Sequence, residues 1–348
     1  MNDMSQDNDN DNDNDTAQFA DMAERLFGDI AMPARIESAE DGTFPQAIWT
    51  AVEEAGIGLA LVPEDAGGIG AGLAGAAAIL QAAGRHALPV PVLELIMGNA
   101  LLALAGREPA AGPLCLLFAD GEALPTRMRG AAWAGASAQV LVVARAGTGA
   151  GARLAVLPTS GLRLQDSIAD AAGEPASDFE LPPAVDWLPI DGMDFDALLR
   201  RAALLRGAQM IGAMRWCLER TTAYALERKQ FGREIGKFQV VQQMIAELAS
   251  AVVAAHAVLD AAIAAPDDRV IVAAARSRLG DAADTVFALS HQVHGAIGFS
   301  YEYVLHFRTR RLMAWRDQFG SVPYWRRQLA AAFAGCQADE VWPLLAGT

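Results

Sequence analysis

Cysteine is scarce in this chain: Cys115, Cys217 and Cys336 are the only three among 348 residues. So few, so far apart, build neither a disulfide framework nor a cysteine-based metal site, and no metal is expected. The N-terminus lacks the basic region and apolar core of a secretory signal. No uninterrupted apolar run approaches the ~20 residues that span a bilayer. These absences predict a cytoplasmic protein with no membrane partner. Positive charge is also short, with 27 Lys and Arg against 42 Asp and Glu, a net −15. An acidic body excludes nucleic acid as a partner, because phosphate backbones select basic surfaces. Aromatics are few at 7%, while 53% of the chain is hydrophobic and 32 residues are Gly. That balance favours close-packed helices over a large β-sandwich. At this length it supports two or three domains.

Six of the negative charges are the Asp residues of Met1–Asp15, which leaves −9 for the rest. This Asn/Asp stretch has almost no apolar content to offset its ordering entropy, so residues 1–15 are expected to be a disordered tail. From 16 to 110 the pattern is helical. Phe19, Met22, Ala23 and Leu26 recur at three-to-four spacing, and a second helix begins near Ile48. The glycines of Gly56–Gly70 lack the strand–helix setting of a phosphate loop and read as a structural turn. Between 111 and 190 the period shortens. Leu114–Phe118, Val140–Val143, Arg153–Leu157 and Asp186–Ile190 are short runs bounded by Gly, Pro and Ser, which predicts a small antiparallel β-domain. From 191 to 348 strong helices are expected over about 194–229, 238–264, 267–293 and 302–316, with a further piece from Pro323 to Ala334. Short connections make them antiparallel neighbours in a bundle. The fold class is therefore mostly α with a small β-domain.

The most informative stretch is Tyr224-Ala-Leu-Glu-Arg-Lys-Gln-Phe-Gly-Arg-Glu-Ile-Gly-Lys-Phe-Gln239. It closes one helix, turns at Gly232 and opens the next, placing Arg228, Phe231 and Gln239 at one corner. A guanidinium fork, an aromatic face and an amide suit a pyrophosphate and its adenine. The stretch resembles the helical-corner signature of the acyl-CoA dehydrogenase family, whose members carry FAD across a subunit interface. A second stretch, His291-Gln-Val-His-Gly-Ala-Ile-Gly-Phe299, resembles the family's Gln-x-x-Gly-Gly-x-Gly-Phe loop. There the glutamine and glycines hold the ADP part of a neighbouring subunit's FAD. The resemblance assigns that role to Gln292 and Gly295, and to Ala296 where the family has its second glycine. His294 reads as a packing or hydrogen-bonding residue rather than a base. The Gly56–Gly70 segment and the helix–strand–helix order also resemble the family's architecture: an N-terminal helical domain, a β-domain, here reduced, and a C-terminal four-helix bundle.

The resemblance implies α,β-desaturation of an acyl-CoA thioester, with a glutamate taking the α-proton and hydride passing to the flavin. Family members place that base in one of two positions. Here Phe319 occupies the first, within Gln318-Phe-Gly-Ser321, and Ala202 the second, beside Ala203. Neither takes a proton. Asp317 is the nearest carboxylate, and its alternative role is a salt bridge to Arg316 or Arg311. The family's Thr-Glu-Pro…Gly-Ser-Asp loop and Trp-Ile-Thr segment, which hold a subunit's own isoalloxazine, are missing between Pro113 and Pro189. The nearest echo, Arg129–Val143, reads as a strand pair without those polar groups. The basic run Arg308–Arg316, with Arg326 and Arg327, reads as solvated or carboxylate-paired.

Three functions are compatible with these residues. The first is the FAD-completing subunit of a heteromeric enzyme whose catalytic subunit supplies the base, as in heterotetrameric steroid-type acyl-CoA dehydrogenases. A second is a self-sufficient homo-oligomer using Asp317. The third is a scaffold or acyl-CoA-binding module without flavin, which has no need of Arg228, Phe231, Gln239 and Gln292. The resemblance implies an acyl-CoA substrate and an electron-transferring flavoprotein as acceptor.

Overall fold

Three-to-four spacing of small apolar residues folds the first hundred residues of the computed structural model into helices. Residues 3–120, 124–147, 151–166, 171–337 and 339–346 are described, with side chains from residue 15 to residue 343 within those ranges. The helices are α1 (Asp3–Ile30), α2 (Pro33–Glu40), α3 (Gln46–Glu54), α4 (Gly72–Arg85) and α5 (Val92–Leu104). Residues 1 and 2 of the expected disordered tail lie outside the described residues; from Asp3 onward the Asn/Asp stretch continues α1 as helical backbone. Acidic residues at a helix N-terminus lie at the favourable end of its dipole. The Gly56–Gly70 segment is a tight structural turn, as expected. A Cβ on Gly68 would fall 1.9 Å from the Val62 carbonyl oxygen.

The β-domain contains β1 (Leu114–Ala119), β2 (Arg127–Ala132), β3 (Gln139–Arg145), β4 (Gly151–Pro158), β5 (Gln165–Asp166), β6 (Ala176–Glu180) and β7 (Trp187–Asp194). They form two sheets, β1-β3-β4-β7 and β2-β6-β5. One correction concerns pairing. β1 runs parallel to β3, although every other pair is antiparallel. The Arg129–Val143 strand pair also divides, since β2 leaves for the second sheet before the chain returns as β3. That excursion turns a hairpin into a crossover and makes β1 and β3 parallel. Alternate residues of β3 explain its unbroken apolar run: Val140, Val142 and Ala144 pack between the sheets, and Leu141 and Val143 pack against helices. β7 extends past the expected boundary at 190 to Asp194, whose carboxylate accepts from Ala197 N at 2.6 Å and caps the next helix.

That helix, α6 (Phe195–Glu227), is followed by the two-residue strands β8 (Lys229–Gln230) and β9 (Arg233–Glu234). Then come α7 (Gln239–Ala264), α8 (Arg269–His294), α9 (His306–Trp315), α10 (Val322–Phe333) and α11 (Val341–Ala346). α6 is the spine of the molecule. It meets α4 backbone to backbone: a Cβ on Gly84 would come within 1.8 Å of Gln209 O, and one on Gly212 within 1.8 Å of Gln81 O. Two arginines of the basic run are buried in α9; one departs from the expected solvation or carboxylate pairing and the other keeps to it. Arg308, pushed down to about 9 by burial, donates to the Arg85 carbonyl. Arg311 lies between Glu40 and Glu174. α7 is long and apolar enough to meet a membrane-span criterion, at mean hydropathy 1.6, so the expected lack of such a segment holds only for unbroken runs. In the bundle it packs on α6 and α8, with 28% of the apolar window buried.

Candidate functional site

The corner signature forms as the sequence requires. α6 stops at Glu227, with Arg228 as its C-cap in extended conformation. β8 and β9 make a hairpin whose tip is Phe231 at φ 52° and Gly232 at φ 79°. Two positive φ values in succession define the mirror-image turn that suits a two-residue hairpin. The turn leaves Phe231 93% exposed. Its ring meets Phe238 edge-on at 6.2 Å, and Arg233 lies 4.2 Å above the Phe238 ring. Glu234 takes Lys237 at 2.6 Å and Lys229 at 3.9 Å. Arg228 and Gln239 are exposed, and among the described residues their side chains have no hydrogen bond or ion pair.

The second signature arrives at the same end of the bundle. Tyr224, one turn before Arg228, stacks on His294 with centroids 4.4 Å apart. Its hydroxyl donates to the His294 carbonyl at 3.4 Å. α8 ends there, and Gly295 (φ 63°) turns the chain into a short 3-10 helix, Gly295–Phe299. Gln292, Gly295 and Ala296 face outward. The Ala296 methyl is on the exposed side of this turn. Both signatures thus present donors outward on one surface, as a ligand's phosphates and ring demand.

The base positions lie elsewhere. A cavity of about 450 Å³ is walled by β1, β2, the start of α6 and the α9–α10 loop, with Glu94, Cys115, Phe118, Leu199, Phe319 and Tyr324 among its residues. Leu199 and Arg228 are 29 positions apart, so cavity and corner stand ~40 Å apart along α6 at about 1.5 Å per residue. Phe319 projects into this cavity at φ 53°, packed on Phe118 at 5.7 Å. Ala202 and Ala203 are fully buried in α6. Asp317 does not line the cavity. It accepts from Arg316 Nε at 3.1 Å and from the Val322 amide at 3.4 Å.

Two features of the cavity were missed in the sequence. Glu94, on the otherwise apolar α5, pairs with Arg206 at 2.5 Å, and Arg206 also donates to Gln209 and lies 5.6 Å from the Phe319 ring centroid. A lone carboxylate in an apolar helix signals a buried partner, because an unpaired charge there is too costly. The other is Arg276, 1% exposed, which donates to the carbonyls of Arg316 at 3.2 Å and Gln318 at 3.0 Å. Burial pushes it down to about 10. It grips the loop that carries Asp317 and Phe319. Cys115 is held as a thiol, raised well above its ordinary value by burial and then by Glu94.

This architecture, two helical domains around a small β-domain, defines the acyl-CoA dehydrogenase fold. The chain belongs to the acyl-CoA dehydrogenase family. Residues 13–109 match the acyl-CoA dehydrogenase N-terminal domain and residues 195–332 its C-terminal domain. Acyl-CoA dehydrogenase IpdE2 of Mycobacterium tuberculosis (strain ATCC 25618 / H37Rv) is 30% identical over 287 residues, 81% of this chain and 85% of the relative. Among solved structures, the ChsE4-ChsE5 complex from Mycobacterium tuberculosis superposes with a TM-score of 0.83 at 20% identity, covering 93% of this chain and 98% of that one. A chain of the Tcur3481-Tcur3483 steroid ACAD G363A variant gives 0.82 at 22% identity, with the same shares covered. FAD is the family's cofactor, and when bound it accepts the hydride. The outward Arg228, Gln239 and Gln292 fit its dinucleotide end. Of the two positions where the family carries its base, one holds Phe319 in the cavity wall and the other the buried Ala202, and neither side chain takes a proton.

Proposed function

We propose that this chain is the FAD-completing subunit of a heteromeric acyl-CoA dehydrogenase. One observation carries the proposal: Arg228, Gln239 and Gln292 at the corner are turned outward with no side-chain partner among the described residues, while Glu94, Asp120 and Asp317 at the cavity and its loop are tied to arginines. The separation along α6 supports the same reading, since one dinucleotide cannot bridge it, and the corner serves a flavin whose reactive end lies in another chain. Arg228 holds the pyrophosphate, Phe231 the adenine, and Gln239, Gln292, Gly295 and Ala296 complete the dinucleotide contacts. The exposed side of the apolar α7 adds surface for a neighbouring subunit. A catalytic acyl-CoA dehydrogenase subunit supplies the base, and an electron-transferring flavoprotein accepts the electrons. The relative described as a steroid ACAD supports a polycyclic acyl-CoA as substrate.

The test is expression of this chain alone and beside the acyl-CoA dehydrogenase gene nearest to it, with flavin absorbance and mass recorded for each species. A colourless or insoluble lone chain that becomes a yellow heterotetramer with two flavins is the expected result. A yellow homo-oligomer with one flavin per chain overturns the proposal and makes Asp317 the base to examine.

A further inference from the structure

Behind the corner runs a line of polar contacts that belongs to neither signature's ligand-facing residues. Arg220 Nε donates to the Tyr303 hydroxyl at 2.7 Å, and that hydroxyl lies 3.1 Å from His294 Nε2. His294 Nδ1 lies 2.7 Å from the Ser290 carbonyl, which only accepts, so Nδ1 carries the proton. Nε2 is then the acceptor and Tyr303 the donor. The order is fixed: Arg220 to Tyr303, Tyr303 to His294, His294 to Ser290. Tyr224 stacks on the other side of the imidazole and holds the His294 carbonyl. The next residue is Gly295, at φ 63° and ψ −141°, a conformation that only glycine adopts freely. His294 is therefore the last fixed residue before the turn.

We propose that Tyr303 is a positioning residue: through His294 it sets the direction in which the Gly295–Phe299 turn leaves α8, and so aligns that turn with Gln292 for the dinucleotide end of FAD. It rests on the corner being the flavin site proposed above. Each donor in the line has one acceptor, which makes the relay stiff. Removing the Tyr303 hydroxyl leaves Arg220 Nε and His294 Nε2 unpartnered and frees the imidazole to rotate. The groups facing the relay are Ser290 and His291 on α8, Arg220, Tyr224 and Glu227 on α6, and His306 on α9. Burial holds His294 below the ordinary imidazole value, so the neutral relay is intact near pH 7. It is lost as pH falls through that lowered value, when Nε2 gains a proton and no longer accepts from Tyr303, and the imidazolium carries a charge of the same sign as nearby Arg220.

The experiment removes FAD from the flavin-bearing assembly and titrates it back, following flavin fluorescence from about pH 5 to about pH 8. Tyr303→Phe weakens FAD binding about tenfold at neutral pH, as expected for one lost link of a polar network. The melting temperature of the flavin-free assembly stays near that of the unaltered protein. The unaltered protein also loses affinity on acidification, whereas the variant's profile is flat. Unchanged affinity, or a loss that follows the melting temperature, overturns the proposal. Arg220→Leu, which removes the first donor, carries the same test if Tyr303→Phe does not assemble. Arg228→Ala separates the two levels. If it weakens FAD and Tyr303→Phe does not, the relay falls and the corner stands; if neither does, both fall.

Discussion

The bundle end and the interdomain cavity hold similar chemistry in opposite states. At the bundle end, Arg228, Gln239 and Gln292 face solvent, with no side-chain hydrogen bond or ion pair among the described residues. In the cavity and its loop, Glu94 is tied to Arg206, Asp317 to Arg316, and Arg276 to two carbonyls. A polar group already satisfied within the chain has little to offer a ligand, whereas an exposed one gives up only water. The difference shows that composition alone does not locate a site: the same guanidinium faces solvent in one place and is a rivet in the other.

The largest effect is expected from breaking the closed region. Glu94→Gln leaves Arg206 buried without a carboxylate and lowers stability by about 3–5 kcal/mol, read from the denaturant midpoint. Replacing Glu94 and Arg206 together by Leu restores most of that loss, because removing both charges is far cheaper than orphaning one. Arg228→Ala sharpens the other side of the comparison. It weakens flavin retention by about 1.5–3 kcal/mol, the worth of a charge-assisted contact, and moves stability by no more than about 0.5 kcal/mol. Dialysis followed by flavin absorbance checks the first value and thermal melting the second.

Acidification gives a smaller effect. The Arg145 guanidinium holds the Asp196 carboxylate below its usual range. A lowered folded pKa adds stability that is present above the unfolded value and lost as pH falls through the folded one. Asp196→Asn should therefore flatten part of the stability loss below about pH 4, measured by melting across that range. The smallest effect is expected from Asp317→Asn. Its half-exposed pair with Arg316 is worth about 0–1 kcal/mol, and turnover of the heteromer should be nearly unchanged. Abolished turnover would return Asp317 to the reaction.

Much of the bundle was legible because helical period, caps and stops are local. Asp268 accepts from Val270 N and Ile271 N at the start of α8, and Gly295 ends it, within a residue or two of the expected limits. The corner was legible for the same reason, since Tyr224–Gln239 is one continuous stretch. The parallel pairing of β1 with β3 was not, because it depends on β2 joining another sheet. Glu94 and Arg206 were each visible as charges within apolar helices. Their pairing joins residues 112 positions apart, and no local pattern encodes it. Arg276 was hidden more deeply, since its partners are main-chain carbonyls that every residue carries.

That last point reaches beyond stability. A grip on main-chain carbonyls is indifferent to the side chains between them, so the path of residues 316–318 is uncoupled from their identity. The positive φ at Phe319 and Gly320, and the Trp325 ring against Gly320, restrict which residues may follow. The loop is a socket of fixed shape with interchangeable contents. A lineage can exchange a proton-accepting side chain for an inert one, or reverse the exchange, without first inventing a new backbone.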